Sequence, residues 1–119
     1  MEQTKNGLSP ELEAQIDKTA EIFVNQIRVE KAKVELQAYL DNELKEGFEA
    51  LKELRENEKL KGKPILDEMQ ANYTAIQTLL QGFIDGTGEK DIDKMSDQFK
   101  AMLDIVDKHC IELVSMLFS

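Results

Sequence analysis

The chain has 119 residues, of which 41% are hydrophobic and 33% charged, with a formal net charge of −9. That length fits one domain and is enough to bury a core. The balance is too apolar for a disordered chain and too charged for a membrane span, and it excludes an electrostatic footprint for nucleic acid. Residues 1–60 carry 9 basic and 14 acidic side chains, and residues 61–119 carry 6 and 10, so neither half offers a basic surface to DNA, RNA or an anionic membrane. The acidic excess reads as a solubility device.

Residues 1–8 read as a disordered lead-in, with no basic start and apolar run of a secretory signal. Residues 9–119 read as a single helical-bundle domain. Ser9-Pro10-Glu11 is a helix start: the Ser9 hydroxyl suits an N-cap, Pro10 loses nothing at the first helical position, and Glu11 and Glu13 favour the positive helix end. From there to Leu60 there is one glycine, Gly47, and no proline after Pro10.

Two apolar stripes run through this stretch. Leu12, Ile16, Ala20, Phe23, Ile27 and Val34 share one face. Leu36, Leu40, Leu44, Phe48, Leu51 and Leu54 share another, rotated by roughly a quarter turn or more at 3.6 residues per turn. The rotation predicts a break or sharp bend near Asp41-Asn42, where either residue suits a second N-cap. The competing reading is one unbroken helix whose halves meet different partners. Lys59, Lys61 and Lys63 around Gly62, followed by Pro64, predict a helix stop just beyond Leu60.

A second helix is predicted from Pro64. Its stripe is Ile65 or Leu66, Met69, Tyr73, Ile76, Leu80 and Phe83, and Asp85-Gly86-Thr87-Gly88 ends it. A last helix is predicted from about Glu89 to Leu117. Ile92, Met95, Phe99, Met102, Val106, Cys110 or His109, Leu113 and Leu117 form its stripe. Short loops make sequential helices pack antiparallel. The fold class is therefore all-α, an antiparallel helical bundle of three to four helices, with a long or bent first helical region followed by a helical hairpin.

The sequence holds no recognisable catalytic, cofactor-binding or metal-binding set. His109 is the sole histidine and Cys110 the sole cysteine. Adjacent helix positions point about 100° apart, so the two cannot readily grip one ion or form a nucleophile–base pair. Cys110 reads as a small core residue. The loop from Asp85 to Asp93 looks like a calcium loop but has Lys90 at the sixth position, where Gly is needed, and Ser96 at the twelfth, where Glu is needed. Gly86 and Gly88 lack the third glycine and the strand of a dinucleotide site. Asn72-Tyr73-Thr74 matches a glycosylation sequon by chance inside a predicted helix. The 24 acids mostly alternate with lysines on solvated faces and single out no pair.

The expectation by elimination is a cytoplasmic protein, not an enzyme and without a cofactor, that works through protein–protein contact as an adaptor, chaperone, inhibitor or immunity factor does. Its partner is another protein or a second copy of itself in a homodimer. Neither nucleic acid nor membrane is expected. Candidate interface residues are Tyr39, which stands off both stripes, and the apolar C-terminus, Met116, Leu117 and Phe118. The alternative is a small-molecule bundle with an apolar pocket lined by Phe23, Tyr73, Phe83, Phe99 and methionines.

Overall fold

A computed structural model describes residues 9–118. The predicted lead-in at 1–8 lies outside the described residues. Helix α1 is Pro10–Tyr39, a π-helical turn follows at Leu40–Leu44, and α2 is Lys45–Leu54. Helix α3 is Pro64–Asp85 and α4 is Ile92–Leu117. There is no strand among the described residues. The protein is an all-α helical bundle with a long, bent first helical region. The chain divides into two compact units, Met1–Ala32 and Lys33–Ser119.

In the second unit three rods pack. Phe48 on α2 meets Tyr73 on α3, and Arg55 just past α2 meets Asp67 at the start of α3, so α2 and α3 run antiparallel. Asn72 donates to the Met102 carbonyl at 3.1 Å while His109 faces Glu68, so α3 and α4 are antiparallel too. The core holds Leu36, Leu44, Leu51, Leu60, Ile65, Leu66, Met69, Ile76, Leu80, Phe83, Met95 and Leu113. The α3 stripe read from the sequence is buried apart from Tyr73, which is half-buried.

The predicted break near Asp41-Asn42 is a π-turn, and neither residue caps a new helix. The backbone stays right-handed helical at Tyr39, Leu44 and Lys45. The Asn42 amide donates to the Ala38 carbonyl at 2.9 Å, and Asp41 accepts from Gln37 at 3.0 Å. The physical reason lies in the spacing. Leu36, Leu40, Leu44 and Phe48 recur every four residues, and in an α-helix such a run drifts by about 40° per step. One wider turn removes about 100° of drift and brings Leu44, Phe48 and Leu51 back beneath Leu36.

The stop beyond Leu60 falls earlier than expected. Helix α2 ends at Leu54, and a run of turns occupies the residues up to Gly62. Asn57 organises them: its side chain accepts from the Lys59 N–H at 2.9 Å, and its carbonyl accepts from Leu60 and Lys61. These turns tuck Leu60 fully into the core beside Leu51, Ile65, Leu66, Met69 and Leu113. Arg55 reaches Asp67 at 3.1 Å and the Leu66 carbonyl at 3.4 Å.

Gly86 ends α3 as expected, at φ 78°. The N–H groups of Thr87 and Gly88 both donate to the Gly82 carbonyl. A Cβ on Gly82 would lie 3.2 Å from Gly88 Cα, so the turn closes glycine on glycine. Helix α4 starts three residues later than predicted, because Asp91 caps it by accepting from Asp93 and Lys94 N–H groups.

Candidate functional site

The expected site residues fall into different environments. Tyr39 packs edge-on against Phe99, with ring centroids 5.2 Å apart. Burial raises its pKa above the ordinary value, with Glu43 and Tyr73 adding to the effect. Met116 and Leu117 are half-buried against the core cluster, and the Leu117 carbonyl accepts from Lys59 Nζ at 2.8 Å. That lysine sits where a cation favours a helix C-terminus. Phe118 is 85% exposed.

The aromatic residues expected to line a pocket lie in separate environments. Tyr73 meets Phe48 edge-on at 5.7 Å, Phe99 meets Tyr39, Phe83 is buried and Phe23 is exposed. The Tyr73 pKa is also raised, first by burial and then by Cys110 nearby. A shallow groove of mixed polarity runs between Leu40, Asp41, Leu44, Lys45, Phe48, Glu49 and Gln77.

Cys110 is exposed, which corrects its reading as a core residue: the α4 stripe passes through His109 instead. The His109 side chain is 12% exposed, its Nε2 lies 3.9 Å from Glu68 Oε2, and its buried Nδ1 has no hydrogen-bond partner. A buried polar nitrogen left without a partner costs about 1–3 kcal/mol. Among the described residues no three His, Cys, Asp or Glu side chains converge to hold an ion. No helix among them is long and apolar enough to cross a membrane.

The feature with most to offer is the first stripe, on α1. Leu12 is 43% exposed, Ile16 48%, Phe23 59% and Ile27 67%, and Val24, outside the stripe at its edge, is 57% exposed. Leu12, Ile16, Ala20 and Phe23 border one shallow groove with Gln15 and Thr19, so the residues grouped by helical spacing do share a surface. The adjoining rim is charged, with Asp17 and Arg28 beside Ala20 and Val24. The sequence shows the stripe but leaves open whether the chain's own helices cover it, and the candidate interface was placed at Tyr39 and the C-terminus. Periodicity reports a sticky face but not whether the same chain covers it. No protein family, curated protein or solved structure matches the chain.

Proposed function

We propose that this protein acts without catalysis, as a cytoplasmic binding protein whose contact surface is the apolar face of α1 from Leu12 to Ile27. The observation behind this reading is that five large apolar side chains on one helix face are 43–67% exposed. Scattered exposed apolar residues are ordinary, but a contiguous patch with a charged rim marks a place where another molecule binds. Several polar groups elsewhere serve structural ends: caps at Ser9 and Asp91, a turn at Asn57, and an interhelical bond at Asn72. An exposed free thiol at Cys110 suits a reducing compartment.

The test is affinity capture from the native cell extract with the wild-type chain and with Ile16→Asp/Ile27→Asp. The wild type should retain a defined protein, whether a tagged second copy or another chain, that the double variant loses. An identical capture profile for both would remove this face from the reading.

A further inference from the structure

We infer that the occupant of the α1 face is a second copy of the same face, laid antiparallel; this rests on the binding role proposed above. Three features of the segment point to self-pairing and to its direction.

The first is charge. Residues 11–21 hold four acids, Glu11, Glu13, Asp17 and Glu21, against Lys18, a net charge of −3. Residues 22–32 hold Arg28 and Lys31 against Glu30, a net charge of +1. A parallel pair stacks the acidic halves on each other; an antiparallel pair sets each against the other's cationic half. At about 100° per residue, Glu13, Asp17, Arg28 and Lys31 fall within about 60° on one rim of the apolar face. A two-fold axis across antiparallel helices brings like rims together, so Glu13 and Asp17 of one copy flank Lys31 and Arg28 of the other.

The second is packing. Ile16 and Ile27 are disposed about the same centre as Ala20 and Phe23, between Glu21 and Ile22. Antiparallel pairing about that centre sets Ile16 opposite Ile27 and the large Phe23 opposite the small Ala20. The rim charges match about a centre within one residue of it.

The third is area. Large apolar side chains about half exposed would each lose roughly 60 Å² of apolar surface on pairing. For five per copy, and an interface about 60% apolar, the total comes to about 1,000 Å². That is the lower edge of specific interfaces, where weak and reversible pairs lie, so the pair should dissociate on dilution.

The experiment is sedimentation of the full chain over a concentration series, followed by a distance measurement. The 13.6 kDa chain should reach twice that mass at high concentration. Ile16→Asp/Ile27→Asp should be monomeric throughout, with a wild-type melting curve showing that the rest of the fold is intact. Arg28→Glu/Lys31→Glu, which leaves the apolar face untouched, should weaken pairing at least about tenfold at low salt. A spin label on Glu11→Cys in a Cys110→Ser background should lie about 30 Å from its mate, against about 10–15 Å for a parallel pair.

A dimer indifferent to both sets of substitutions, or labels at the short distance, would overturn the inference. A monomeric wild type that still captures a different protein, with capture lost in the aspartate variant, would overturn self-pairing and leave the wider binding role standing. A monomeric wild type that captures nothing would overturn both.

Discussion

Tyr39 and Tyr73 are the only tyrosines in a chain without tryptophan, so their phenols can be titrated directly by absorbance. Both have raised pKa values, chiefly because burial disfavours the phenolate. The folded state therefore holds these protons more tightly than the unfolded chain. Their contribution to stability is fully present below the unfolded pKa of 10.0 and is lost as pH rises through the folded values. We predict a phenol titration shifted above 10 in the native protein and returned to the ordinary value in denaturant. Tyr39→Phe/Tyr73→Phe should blunt the loss of stability above pH 10. A native titration that overlays the denatured one would show that the two rings are not desolvated. Asp91 gives a second test at this scale. Its carboxylate caps α4 through two backbone N–H groups, so Asp91→Ala should cost about 1 kcal/mol in a denaturant melt.

At the scale of elements the π-turn is the departure from ideal geometry that decides which residues are core. Leu44 and Leu51 are 2% and 1% exposed, yet in a continuous α-helix their faces would diverge from that of Leu36. Adding one alanine after Asp41 supplies a residue that the single wider turn does not absorb, and should swing Leu44, Phe48 and Leu51 by about 100° away from the core. That insertion is thus predicted to cost about 4 kcal/mol or more, equivalent to losing two buried leucines, whereas deletion of Asp41 removes the wider turn and leaves their facing unchanged. Asp41→Ala, which alters only an exposed side chain, should stay within about 0.5 kcal/mol. Equal effects of the insertion and of Asp41→Ala would contradict this account of the turn. Leu60→Ala should cost about 2–5 kcal/mol although Leu60 lies outside any helix, since it is fully buried.

The elements differ in how far they could be read beforehand. Helix α3 was legible because a stripe, a proline start and a glycine stop all agreed on it, and α4 because of its stripe, while its start at the Asp91 cap was not. The bend was legible as a change of face, but not as a π-turn, because Asp41 and Asn42 fit a cap equally well by residue type. The early end of α2 was hidden among strong helix formers. Asn57 was its one local signal, and the burial of Leu60 that favours those turns is a tertiary effect.

For the whole molecule, the exposed face of α1 carries the functional argument. Its periodicity was plain in the sequence, whereas its exposure required the fold, because a single helix face looks alike whether it meets its own chain or another. The most direct measurement is amide hydrogen exchange across the chain as a function of protein concentration. Amides between Leu12 and Lys31 should exchange much faster than those of α3 when the protein is dilute, then gain protection as concentration rises, while α3 and α4 stay unchanged. Strong protection of that segment in dilute protein, equal to α3 and independent of concentration, would contradict the claim that its apolar face is left for a partner.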